Sequence, residues 1–131
     1  MARPRLLLAD DHPAVLRATD TLLKPHFDIV GTAIDGATLV SEAVRLNPDI
    51  IVADITLPIM SGIDAAHLLH GSAPSSKIVF LTVHLEQQFV EACMGEGALG
   101  YVLKSHMKAH LIPAIRAALL GQSYICPFAS T

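Results

Sequence analysis

Three carboxylates, one hydroxyl and one ammonium carry the chemistry legible in this sequence: Asp10, Asp11, Asp54, Thr82 and Lys104. Each alone has an ordinary explanation. A strand-end Asp usually makes a turn or caps a helix, as Asp10 or Asp11 could for a helix starting at Pro13. A lone Thr is a routine strand former, and a lone Lys at a strand end is solvated. Together they call for more. Three carboxylates brought to one place repel one another, and a fold seldom collects them without a cation or a proton to offset that cost. A hard divalent cation such as Mg²⁺, held by one or two carboxylates with waters and a carbonyl, is the natural occupant. The same set suits phosphoryl transfer, with one carboxylate as the nucleophile that becomes an aspartyl phosphate. The metal, the Lys104 ammonium and the Thr82 hydroxyl then face the charge spread over the phosphoryl oxygens. No GxxxxGKS or GxxxxGKT loop occurs and no GxGxxG follows the first apolar run, so the phosphoryl donor comes from a partner rather than from a nucleotide bound here.

For these residues to meet, several strand ends must share one sheet edge. The chain switches repeatedly between short apolar runs and stretches of helical period, the pattern of βα units around a parallel sheet. Strands are expected at 5–9, 27–34, 49–53, 77–83 and 98–103. The first ends at Asp10-Asp11, the third at Asp54, the fourth at Thr82 and the fifth at Lys104. Helices are expected from Pro13 to the stop at Pro25, from Gly36 to Asn47-Pro48, from the Ser61-Gly62 turn to about His70, at 86–96, and at 107–120 before Gly121. A turn-rich link covers 71–76, and Pro113, inside the last helix, is expected to bend its start. Five βα units in this length make an open doubly wound α/β sheet, since a barrel needs roughly 250 residues. Ligands of such sheets bind beyond the carboxyl ends of the strands, where strand order reverses.

Bulk properties narrow the function. The 131 residues suit one domain, and 52% apolar with 16% charged residues supports a packed core and excludes disorder. The net charge of −3, with the basic residues scattered singly, argues against this segment gripping nucleic acid by itself. Cys93 and Cys126 have no metal or disulfide spacing and are read as reduced, incidental thiols. No run approaches the ~18 apolar residues of a membrane span. Asp10-Asp11 ends the leading apolar run short of the ~7–15 residues of a signal peptide. A cytoplasmic protein is expected.

The pieces LLLADDHPAVL (6–16), IIVADITLPIMSGID (50–64), IVFLTVH (78–84) and GALGYVLKS (97–105) resemble, in order and spacing, response-regulator receiver domains of the CheY-like kind. The resemblance spans essentially the whole chain. It implies a flavodoxin-like (βα)5 sandwich with a parallel five-stranded sheet in the order 2-1-3-4-5. It implies Asp54 as the phosphorylated residue, accepting from a sensor histidine kinase. Asp11 would bind Mg²⁺ directly and Asp10 mainly through water, with Asp54 and the backbone carbonyl of Thr56 completing the metal's protein ligands. Lys104 would pair with the phosphoryl group, Thr82 would move to meet it, and Tyr101 would turn inward as Thr82 moves. Such a protein is a phosphoacceptor switch rather than an enzyme. The phosphate, with charge near −2, would favour one of two packings of the last two βα units. Readout would fall on the fourth helix, fifth strand and fifth helix, and that face or the first and fifth helices would mediate homodimerisation.

Ser105 stands where many relatives have a proline, leaving the geometry of the Lys104–Ser105 bond open. Thr56 and His84 occupy variable positions flanking the phosphoryl site, and His84 is read as a solvated loop residue. His67 with His70, and His106 with His110, have helical spacings that could serve zinc but lack a third ligand, and read as solvated helix faces. Phe89, Cys93 and Ile115 read as core. The receiver is expected at 1–122. The tail at 123–131, containing GQSYICP (121–127) in part, is similar to the start of the linker in NarL/FixJ-type regulators, where a LuxR-like helix-turn-helix DNA-binding domain follows. An excised receiver is favoured over a stand-alone one acting by protein–protein contact.

Rival chemistries fit less well. In an aspartate-nucleophile phosphohydrolase of the haloacid dehalogenase kind the nucleophile comes first and the acidic pair late, the reverse of this order. A degenerate receiver would lack part of the acid, Thr and Lys set. A flavin carrier would need a hydroxyl-rich loop where Asp10-Asp11-His12-Pro13 stands.

Overall fold

A computed structural model describes residues 3–70 and 75–127. Its strands are β1 (Arg5–Ala9), β2 (Asp28–Ala33), β3 (Ile50–Ala53), β4 (Lys77–Thr82), β5 (Gly100–Leu103) and β6 (Tyr124–Ile125). Its α-helices are α1 (Pro13–Leu23), α2 (Gly36–Leu46), α3 (Gly62–Leu69), α4 (Gln87–Gly95) and α5 (Met107–Leu119). All neighbouring strands pair in parallel, in the order β2-β1-β3-β4-β5-β6. The expected five-strand order is present, and a sixth short strand extends it at the β5 edge. That strand lies in the tail segment, where two residues are too few to show any periodicity. Of the turn-rich link at 71–76, residues 71–74 lie outside the described residues, as do 128–131 of the tail.

Period-two burial builds two cores. Leu7, Ala9, Ile51, Ala53, Ile78, Phe80, Tyr101 and Leu103 face the side covered by α2, α3 and α4. Leu6, Leu8, Ile50, Val52, Val79, Leu81 and Val102 face the side covered by α1 and α5. Strands buried on both faces must be apolar throughout, which is why their runs end abruptly at the first acid.

Local signals set the helix ends. Pro13 opens α1. Asp35 caps α2 by accepting from the Thr38 N–H at 2.7 Å, and Asn47 ends it in the left-handed region at φ 44°. Ser61 caps α3, accepting from the Asp64 N–H at 3.1 Å. Helix α5 runs unbroken through Pro113, whose side faces solvent. The Lys104–Ser105 bond is trans and enters a 3-10 turn, Lys104–His106, ahead of α5.

Candidate functional site

Sheet register brings the acids together. Ala9 pairs with Ala53, the Asp54 N–H donates to the Ala9 carbonyl at 3.0 Å, and the Asp10 N–H donates to the Ala33 carbonyl at 3.0 Å. Asp10 and Asp54 therefore leave adjacent strands side by side, 3% and 4% exposed. Thr82 pairs with Leu103, so Lys104 leaves β5 beside the end of β4. On the loop after β3, the Gly62 N–H donates to the Ile55 carbonyl at 2.7 Å. A Cβ on Gly62 would lie 2.1 Å from the Asp54 carbonyl oxygen, so only glycine lets α3 begin this close to the site.

Lys104 Nζ spans the two buried acids, 2.8 Å from Asp10 Oδ2 and 2.9 Å from Asp54 Oδ2. Burial works against its charged form. The hydrogen bonds and charges of Asp10 and Asp54 outweigh that and hold the ammonium above its ordinary value. The remaining oxygen of Asp54 accepts from the Ile55 N–H at 2.7 Å. Neither Asp10 nor Asp11 caps α1, whose N-cap is His12 with no side-chain cap bond. Instead Asp10 Oδ1 accepts from the His12 N–H at 2.9 Å and lies 3.1 Å from His12 Nδ1.

Among the described residues, one buried side-chain polar atom has no hydrogen bond: Asp11 Oδ1. It lies 3.1 Å from His12 Nδ1, which is also 3.1 Å from Asp10 Oδ1, without forming a hydrogen bond to it. Ligand atoms of Asp10, Asp11, His12 and Asp54 all lie within 4.8 Å of one another. Three carboxylates against one ammonium, with a carboxylate oxygen left bare, form a donor set that fits a hard divalent cation. His12 was not singled out from the sequence. Its place beside the acids depends on the turn that Asp10 makes with its N–H.

Thr82 and Tyr101 are fully buried. Both meet His84: the Thr82 Oγ1 accepts from the His84 N–H at 3.3 Å, and the Tyr101 hydroxyl donates to the His84 carbonyl at 2.9 Å. The Tyr101 ring is thus inward, and burial, with Cys93, Glu86 and Asp54 nearby, pushes ionisation of its hydroxyl up. The His84 ring is hydrogen-bonded to Thr56 Oγ1 at 2.9 Å and stacks on Phe89 at 4.2 Å and 21°. Its side chain is 26% exposed, which corrects its reading as a solvated loop residue. The partners of His84 are remote in sequence, so no local signal could have revealed them. Among the other histidines, His67 Nδ1 lies 3.0 Å from Glu96 Oε2 and His110 Nδ1 lies 2.7 Å from the Tyr124 hydroxyl. Among the described residues, neither histidine pair belongs to a metal-ligating group.

Known proteins with this architecture place it. A family model described as the response regulator receiver domain matches residues 6–116. The uncharacterized transcriptional regulatory protein YxjL of Bacillus subtilis (strain 168) is 36% identical over 121 residues, 91% of this chain and 56% of that protein. The transcriptional regulatory protein LiaR of the same strain is 36% identical over 120 residues, 90% of this chain and 57% of that protein. A crystal structure of a LuxR-family two-component response regulator from Aurantimonas sp. SI85-9A1 superposes with a TM-score of 0.92 at 32% identity, covering 98% of this chain and 94% of that one. The chain belongs to the response regulator receiver domain family, in its NarL/LuxR branch. It spans a little over half the length of the curated relatives it matches. No helix of the described residues is long and apolar enough to cross a membrane.

Proposed function

We propose that this receiver takes a phosphoryl group onto Asp54 from the phosphohistidine of a sensor kinase. The observation that carries the reading is the Lys104 ammonium bridging Asp54 and Asp10 beside Asp11 Oδ1, a buried oxygen that accepts no hydrogen bond. In the transfer an Asp54 carboxylate oxygen forms the new O–P bond as the N–P bond of the donor breaks, and the electron pair stays on the departing imidazole. Asp10, Asp11, Asp54 and the Thr56 carbonyl would hold Mg²⁺, which supplies charge neutralisation on the phosphoryl oxygens. Lys104 is already placed to follow the charge from carboxylate to phosphoryl group, and the Thr82 hydroxyl to move toward it. Tyr101 reports that movement through His84.

The chain then acts as a switch whose only catalysis is its own phosphorylation and dephosphorylation. The names of the relatives support control of transcription. That output would run through a helix-turn-helix domain outside this chain, in the cytoplasm and with homodimerisation on phosphorylation.

The test is labelling with a small phosphodonor and Mg²⁺. Wild type is expected to gain one hydroxylamine-labile phosphate and Asp54→Asn none. Equal labelling of both proteins would remove Asp54 from the role.

A further inference from the structure

Tyr101 is held from two sides. Its hydroxyl donates to the His84 carbonyl at 2.9 Å, and its own carbonyl accepts from the Cys126 N–H at 2.8 Å. The first contact reaches the loop after β4. The second reaches β6, the segment by which the chain leaves α5. Among the described residues β6 pairs with β5 at two positions, Gly100 with Tyr124 and Tyr101 with Ile125, so the switch residue supplies half of that pairing.

Side chains fasten this strand. Cys126 is fully buried. Tyr124 packs half-buried against the core between the sheet and α5, and its hydroxyl lies 2.7 Å from His110 Nδ1 on that helix. A two-residue pairing and the Tyr124–His110 contact make a short attachment, the kind of small element from which switching segments are drawn.

We propose that residues 124–126 form the output strand of this domain. His110 and Tyr124 latch it, and the backbone of Tyr101 sets its register, so that attachment of the strand to β5 and the position of the Tyr101 ring belong to one two-state element. Coupling of this kind is reciprocal: what moves Tyr101 alters the strand, and what frees the strand alters Tyr101. The inference rests on the receiver reading above, in which phosphorylation acts on Tyr101.

Amide hydrogen exchange of the whole chain, followed by NMR, tests it. Tyr124→Phe and His110→Ala are each expected to speed exchange of the Cys126 amide at least fivefold while the Leu7 and Val52 amides stay unchanged. Tyr101→Ala is expected to change Cys126 exchange at least threefold with no phosphate present. Mg²⁺ with beryllium trifluoride, as the phosphoryl mimic, is expected to do the same in wild type while shifting the Ile55 and His84 amides. Cys126 exchange that is indifferent to Tyr101→Ala overturns the inference. So does indifference to the mimic once the Ile55 and His84 amides have shifted. Absence of any shift at Ile55 would instead count against the receiver reading, and the Tyr101→Ala arm would still decide the role of the strand.

Discussion

Thr56 Oγ1 and His84 Nε2 lie 2.9 Å apart and so join the loop after β3 to the loop after β4, each residue standing two past a proposed site residue. The His84 ring is also clamped by Phe89, so the bridge is a fixed strut beside Asp54 rather than a passing contact. Removing either end opens that side of the site to water. His84→Ala and Thr56→Val are each expected to speed loss of phosphate from Asp54, and the double variant is expected to match the singles rather than multiply them. The pairwise coupling should be on the order of 0.5 kcal/mol or more, as for directly contacting residues. Quench-flow or gel-based decay of the labelled protein measures it.

The bare Asp11 Oδ1 predicts a measurable metal effect without any phosphate. Mg²⁺ at ten times its Kd should stabilise the wild-type chain by about 1.4 kcal/mol, the increment expected of one site that binds only the folded state. Asp11→Ala removes this oxygen, which accepts no hydrogen bond, and should abolish that increment. Thermal melts of both proteins with and without Mg²⁺ check it, and an undiminished shift in the variant would remove Asp11 from the site.

Cys93 gives an alkaline signature. Burial pushes its thiol up to about 12 from the ordinary 9.0. Above pH 9 the unfolded chain releases this proton while the folded chain keeps it, so this contribution is whole below pH 9 and is lost as pH rises toward 12. Tyr101 and Lys104, also raised, act in the same direction at high pH. Stability from urea titrations should therefore fall across this window, and less steeply in Cys93→Ala by up to about 1.4 kcal/mol per pH unit. Identical slopes for the two proteins would count against the thiol.

Ile59 sits in the left-handed region at φ 70° on the loop after β3, with 82% of its surface exposed. A β-branched residue is strained there and recovers nothing from packing. Ile59→Gly should stabilise the chain by about 1 kcal/mol, read from the midpoint of denaturant unfolding. A loss of stability would show that the side chain is packed after all.

Much of the frame was legible because two-sided burial leaves a plain mark. Runs such as Ile50–Ala53 are apolar throughout, and Asp54 breaks the run where the strand leaves the core. The helix starts expected at Gly36 and at the Ser61-Gly62 turn were legible because their signals are local: Asp35 and Ser61 each bond a partner three residues on. Strand β6 was not legible. Tyr124 and Ile125 pair only because β5 would otherwise end the sheet with its backbone unpaired, a condition set by strand order rather than by the tail itself.

By itself, then, the sequence determined the element order, the parallel sheet and which residues stand at the strand ends, since burial pattern and turn chemistry act over a few neighbouring residues. Tertiary structure decided what those residues touch. Lys104 meets Asp54 across 50 positions of chain and Thr56 meets His84 across 28, distances over which only sheet register sets the contact. His84 therefore passed from a loop residue to the point where Thr56, Thr82, Tyr101 and Phe89 converge.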